Sequence, residues 1–432
     1  MRRFLSSIVF TVALLCPWIA YAQNPPTSCG TTAQNIWVRD QLNTYYYWYQ
    51  FLPPSSVVNP ASFTSPEAYL EAVRYRPIDN TFSFITSAAS NDAFYSDSQF
   101  IGYGFGNQTT TTGIRVLQVY DDSPASEAGL SRGDFITSVN GRTVPAMIAD
   151  GTIGGAFGAA EIGVATTIEW ETQSGERRNA RMVKRLVTIP TVSLTSVVDI
   201  DGRRVGYLFF RNFVEPSKAA LTEAFAALKA AGATELVLDL RYNGGGQVDV
   251  AVQLASLIGG TRTNGQVMLN YVHNDRIGPI LDKATRFATL EQALNLQRLV
   301  VITTRGSASA SELVINSLRP YIPVTIIGDT TYGKPVGQYG LRFCDKVLYP
   351  VAFSIKNANL EGDFFDGLAV DCAAGDDYTH QLGDSAEASF AEALTFIRTG
   401  ACSPKATTEA RALRVPQFIF RPTGWASILN AQ

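Results

Sequence analysis

LVVITTRGSASASELVINSL, residues 299–318, runs an apolar strand straight into a helix through a turn of small residues. Leu299 to Thr304 is β-branched and apolar with no polar alternation, the pattern of a strand covered on both faces. The helix continues to about Leu318. Similar units surround it: a strand at Val205–Phe210, a helix at Pro216–Ala231 stopped by Gly232, and a buried strand at Glu235–Leu240. A glycine-rich turn, a helix at Val248–Ile258 and a strand at Val324–Gly328 follow the same rhythm. Strands alternating with helices from Thr188 onward predict an α/β core.

Upstream the pattern changes. From Phe100 to Val187 short strands and turns dominate, including the alternating Ile114–Val119, a strand Phe135–Val139 and an Asn140-Gly141 turn. Residues 23–99 read as a helical, aromatic-rich region. Trp37, Tyr45, Tyr46, Tyr47, Trp48, Tyr49 and Phe51 cluster there, and Ser65-Pro66-Glu67 starts a helix. Such a cluster reads first as a packing face against a neighbouring domain. At 432 residues, two or three domains are expected.

At the N-terminus Arg2 and Arg3 precede an apolar stretch, Phe4–Leu15, and Ala20-Tyr21-Ala22 supplies a small-x-small pattern. This predicts a secretory signal over residues 1–22 and an exported protein, periplasmic or secreted. Leu15 and Pro17 around Cys16 argue against lipidation. No other segment reaches the ~18 consecutive apolar residues of a membrane span, so none is expected once the signal is removed. The remaining cysteines, Cys29, Cys344, Cys372 and Cys402, form an even set in an oxidising compartment. Of the three possible pairings, Cys344–Cys372, flanking one segment, and Cys29–Cys402, tying the ends of the body, are favoured. A formal net charge of −3 with no basic block gives no reason to expect nucleic acid. No C-x-x-C occurs and the histidines are His273 and His380 alone, so neither a metal nor a cofactor is expected.

Three elements carry chemistry. A serine on the turn 305–312 would be exposed beside a helix N-terminus, whose unpaired N–H groups favour a developing oxyanion. Lys334 lies on a loop after Val324–Gly328, among Tyr332, Gly333, Pro335 and Val336. A lysine titrates near ~10.4 in water and becomes a usable base only when desolvated. Leu240-Arg241-Tyr242-Asn243-Gly244-Gly245-Gly246 ends a buried strand with glycines that let the backbone approach a substrate. Gly328 to Lys334 imitates a phosphate-binding loop, but Pro335 takes the place of the required Ser or Thr. The absence of a Gly-x-Ser-x-Gly elbow, with only two histidines, gives little support to a Ser–His–Asp triad.

In combination and order these elements resemble the S41 family of C-terminal processing peptidases. The carrying motifs are Leu240–Gly246, Ser307–Glu312, and Gly333-Lys334 with Gln338. The run SPASEAGLSRGDFITSVNG, residues 123–141, resembles the PDZ domain of such enzymes. The resemblance implies a crotonase-like (ClpP/crotonase) α/β spiral core over 188–402. It implies a PDZ β-domain over 100–187, inserted or preceding, a small helical region over 23–99, and a tail over 403–432. It implies Ser309 as nucleophile, Lys334 as general base, Gln338 as its support, and an oxyanion hole from Ala310 with Gly245 or Gly246. Ser307 and Ser311 would cap or orient. Tyr103-Gly104-Phe105-Gly106 would hold a substrate's C-terminal carboxylate. The partners implied are protein or peptide substrates. Arg319-Pro320-Tyr321 departs from the family, which often carries an acidic residue after the serine helix. Asp376-Asp377 reads as a surface turn. The competing reading is a non-catalytic binder of peptides or apolar ligands on the same fold.

Overall fold

The computed structural model describes residues 25–404. The expected signal lies outside them, as does nearly all of the expected tail. At the centre is a six-stranded sheet ordered Val192–Ile200, Arg203–Phe210, Glu235–Asp239, Leu299–Thr303, Val324–Gly328 and Cys372–Ala373. The first pair is antiparallel and every later neighbour is parallel. Side chains alternate faces along a strand, and here both faces are apolar. Leu208, Phe210, Leu238, Leu299 and Val301 pack with helices Ser217–Ala230, Val248–Gly259 and Ala310–Leu318. Val205, Tyr207, Phe209, Val237, Val300 and Ile302 face helix Ala388–Thr399 through Phe390, Leu394 and Ile397. That double burial explains why these strands read as unbroken apolar runs.

A second, antiparallel sheet is ordered Ala284–Arg286, Val267–His273, Val351–Lys356, Val336–Gln338. The PDZ unit has its own sheet, from Phe105–Thr109 to Arg177–Val183, and its own core around Tyr103, Phe105, Ile136 and Trp170. Its flanking strands, Gln99–Gly102 and Arg185–Thr188, pair with each other, so the chain enters and leaves the unit at one point.

The N-terminal region is helical over Thr31–Tyr45, Pro66–Val73 and Ala88–Asp97, but it also contributes a strand, Phe84–Ser87. That strand pairs with Lys346–Tyr349 across more than 250 residues of sequence. Four residues that run directly into helix Ala88–Asp97 carry too little periodicity to be read locally. The aromatic cluster is a packing face: Trp37, Leu42, Tyr46 and Trp48 share one core with Val336, Leu341, Phe343 and Leu348. Trp37 stacks on Phe343 at 4.6 Å between centroids.

The cysteines correct the expected pairing. Cys29 joins Cys344, and Cys372 joins Cys402. The reason is tertiary. Cys344 sits in the turn between strands Leu341–Phe343 and Lys346–Tyr349, where the Trp37 helix docks and brings Cys29 beside it. Cys372 opens the last strand of the central sheet, and Cys402 follows the helix that covers that sheet. Cys344 and Cys372 therefore belong to different sheets. Proteolysis without reduction should yield linked peptides carrying 29 with 344 and 372 with 402; a 344–372 peptide would contradict this topology.

Candidate active site

Strand Leu299–Thr303 lies inside the central sheet, and after six intervening residues the chain enters helix Ala310–Leu318. Ser309 is the last residue before that helix and holds φ 54°, ψ −111°. Non-glycine residues rarely adopt positive φ, and such a conformation costs about 1–3 kcal/mol. It persists only if its surroundings enforce it. Ser307 Oγ donates to the Leu240 carbonyl at 2.7 Å and Ser311 Oγ to the Asn243 carbonyl at 2.9 Å. The Ala308 amide donates to the same Asn243 carbonyl at 3.1 Å. The two flanking serines thus stitch the turn to the Leu240–Gly246 loop.

Glu312, fully buried one turn into the helix, ties the turn to the lysine loop. Its carboxylate accepts from Ser309 N at 2.8 Å, Thr331 Oγ1 at 2.6 Å, Gly333 N at 2.7 Å and Lys334 N at 2.9 Å. Burial pushes this carboxyl's pKa up, while the donors pull it back. The signal for it was present in the capping spacing Ser309-x-x-Glu312.

Lys334 Nζ donates to Gln338 Oε1 at 2.6 Å. Gln338 Nε2 donates in turn to the carbonyls of Phe82, at 2.6 Å, and Tyr349, at 2.9 Å. Burial lowers the Lys334 pKa to about 8, against the opposing pull of Asp79 and Glu312. Among the described residues no hydrogen bond joins Lys334 to the Ser309 hydroxyl; the shared Glu312 carboxylate links their backbones. Ser309 opens on a cleft of about 340 Å³ lined also by Gly246, Ala310, Leu313, Gln338 and Phe353.

Gly245 and Gly246 hold φ 105° and 141°. A Cβ on Gly245 would lie 2.8 Å from Ser309 Cβ and 3.0 Å from Ala310 N. One on Gly246 would lie 2.0 Å from the Phe213 carbonyl oxygen. The two amides differ: Gly245 N donates to Asn243 Oδ1 at 2.9 Å. Among the described backbone bonds, those of Gly246 and Ala310 have no protein acceptor.

The other candidates lie elsewhere. Tyr103, Gly104, Phe105 and Gly106 are all buried in the PDZ unit. The Tyr103 hydroxyl bonds Thr166 Oγ1 at 2.5 Å, and the Gly104 carbonyl accepts from Tyr120 N at 2.9 Å. His273 is held between Asp282 and Tyr339, each at 2.8 Å, and His380 bonds Asp377 at 2.6 Å. Cys372, Glu392 and Cys402 are the only metal-type grouping among the described residues, and both sulfurs are tied up in the disulfide.

The reading of Asp376 as a surface turn is corrected. Its carboxylate is buried and accepts from the PDZ residue Arg132 at 2.8 Å, from Arg241 at 3.0 Å and from the Tyr242 hydroxyl at 2.6 Å. Arg132 also donates to the Tyr242 hydroxyl at 2.6 Å. The PDZ unit thereby grips the loop that carries Gly245 and Gly246. Sequence offered no pattern for this, because the partners lie more than 100 residues apart.

A serine on a strand–turn–helix beside open helix N-terminal amides is an arrangement that serine hydrolases use. The model of peptidase family S41 matches residues 204–359, that of the S41 N-terminal domain matches 33–84, and that of the PDZ domain matches 115–151. A Staphylococcus saprophyticus protein described as a CtpA-like serine protease is 24% identical over 345 residues, 79% of this chain and 67% of that protein. The chain spans about half the length (51%) of the Staphylococcus aureus relatives it matches. A Bacteroides fragilis structure described as an S41 protease superposes with a TM-score of 0.66 at 24% identity, covering 84% of this chain and 97% of that one. The photosystem II D1 C-terminal processing protease gives a TM-score of 0.51 at 20% identity, covering 79% and 92%. The chain belongs to peptidase family S41, a family of serine peptidases, and carries the family's PDZ domain.

Glu312→Gln offers four donors one oxygen and turns an N–H₂ group toward some of them. Leaving buried donors unpaired costs about 1–3 kcal/mol each. The variant should lose at least ~2 kcal/mol in urea unfolding, and a change within error would contradict the clamp.

Proposed function

We propose that this chain is an exported serine endopeptidase working through a Ser309–Lys334 dyad. The observation that carries the reading is the strained Ser309, open to the cleft and held by one carboxylate to the loop of a desolvated lysine. Neutral Lys334 takes the Ser309 proton as Oγ attacks the scissile carbonyl, then returns it to the leaving amine. The open amides of Gly246 and Ala310 supply the oxyanion hole. Gln338, anchored by two carbonyls, aims its oxygen at Lys334 and holds the base in place.

Substrates are proteins or peptides entering as unfolded or C-terminal segments, with the PDZ unit as the recognition element. Its contact with the Leu240–Gly246 loop through Arg132 gives a physical route from recognition to the site. Export to the periplasm or beyond is supported by the signal-like N-terminus and by two disulfides, which persist in oxidising compartments.

The test is digestion of unfolded proteins with the product ends mapped. Wild type should cut, and Ser309→Ala should be slower by at least ~10³-fold. Because the base works deprotonated, kcat/KM should rise with pH through about 8, the value to which burial lowers Lys334. Cleavage retained in Ser309→Ala, or absent from wild type on every unfolded substrate, would remove the peptidase reading. In the second case the chain would be a binder on this fold.

A further inference from the structure

The Lys334 side chain touches a segment that the dyad does not account for. Residues 79–83 form a loop after helix Pro66–Val73 and reach the lysine through Phe82. The Phe82 carbonyl accepts from Gln338 Nε2 at 2.6 Å, which leaves Gln338 Oε1 facing Lys334. The Phe82 ring lies 5.9 Å from Lys334 Nζ. Thr81 Oγ1 bonds the hydroxyl of Tyr332, two residues before the lysine, at 2.9 Å. Ser83 Oγ accepts from Val351 N at 2.9 Å.

The loop is organised by one buried carboxylate. Asp79 Oδ1 accepts from Phe82 N at 3.0 Å and Ser83 N at 2.9 Å, and Oδ2 accepts from the Tyr46 hydroxyl at 2.9 Å. Asp79 is fully buried and forms no ion pair among the described residues; the buried Arg74 guanidinium beside this loop donates instead to the Ser83 carbonyl at 3.0 Å. A buried carboxylate without a paired cation projects its field into its surroundings. We propose that Asp79 is a positioning residue for the S41 reaction, its loop setting the orientation of Lys334 through Gln338 and its charge balancing that of the ammonium.

The charged groups acting on Lys334 are two carboxylates, Asp79 from this loop and Glu312 from the serine helix. The titratable neighbours are hydroxyls engaged elsewhere: Tyr332 with Thr81, and Tyr349 with Asn91 at 2.5 Å. Both carboxylates favour the ammonium and so oppose the burial that makes Lys334 a base. Removing the Asp79 charge therefore makes the lysine easier to deprotonate. A purely structural Asp79 would not alter the titration.

The inference rests on the dyad reading, so the test uses a readout independent of turnover. The reactivity of Lys334 toward acetic anhydride is followed against pH by peptide mass spectrometry in the full chain. Asp79→Asn should move the Lys334 midpoint toward acid by on the order of half a pH unit. The acid limb of kcat/KM should move with it. Asp79→Ser, which also keeps an acceptor for the two amides, should do the same and serves if the Asn variant does not fold. Tyr46→Phe removes the hydroxyl bond to Asp79 but keeps its charge, and should leave the midpoint in place. An unmoved midpoint in the folded uncharged variants overturns the inference, as does an equal shift in Tyr46→Phe. A shifted midpoint in a chain that cuts nothing upholds the coupling of Asp79 to Lys334 and overturns its part in a peptidase reaction, together with the peptidase reading.

Discussion

The Glu312 carboxylate is the contact on which the site depends. It is one turn from Ser309, has no solvent exposure, and gathers donors from the serine turn and the lysine loop at once. A carboxylate taken out of water loses several kcal/mol of hydration, which is recovered only when its lone pairs are filled. Charge-assisted hydrogen bonds contribute about 1.5–3 kcal/mol each, enough in sum to offset the burial and the positive φ of Ser309. The strained backbone of Ser309 and the enclosure of Lys334 therefore share one support.

Around that support the three regions of the chain meet. The central sheet delivers the serine turn and the glycine loop at the ends of neighbouring parallel strands, Leu299–Thr303 and Glu235–Asp239. The N-terminal region closes the lysine side through the Phe82 carbonyl, and the Cys29–Cys344 bond fastens that region to the sheet it packs on. The PDZ unit reaches the glycine loop through Arg132, which bonds Tyr242 and Asp376. Arg241 in the same loop is fully buried between Asp239 and Glu387. Removing one partner of such a buried pair costs about 3–5 kcal/mol, because the other charge is left uncompensated.

What could be read in the sequence was what is encoded locally. The parallel strands announced themselves because both faces are buried, and Ser309, Lys334 and Gln338 could be read as candidates because the motifs that carry them are contiguous. The lysine's contact with Gln338 is a four-residue relation within one loop and strand. The disulfide pairing was misread because it follows from which surfaces dock, and Cys344 rides on a hairpin whose partner helix lies at the other end of the chain. Asp376 was misread, and Arg132, Asp79 and Phe82 were missed, for the same reason: each acts across more than 100 residues of sequence. Phe82 acts through its carbonyl, which no side-chain pattern reports.

The most direct measurement is the rate at which a fluorophosphonate labels Ser309, followed against pH in wild type and in Lys334→Ala. Labelling should fall on Ser309 alone, at a rate that climbs through about pH 8 and collapses without the lysine. Labelling that is indifferent to Lys334, or that falls on another serine, would contradict the dyad.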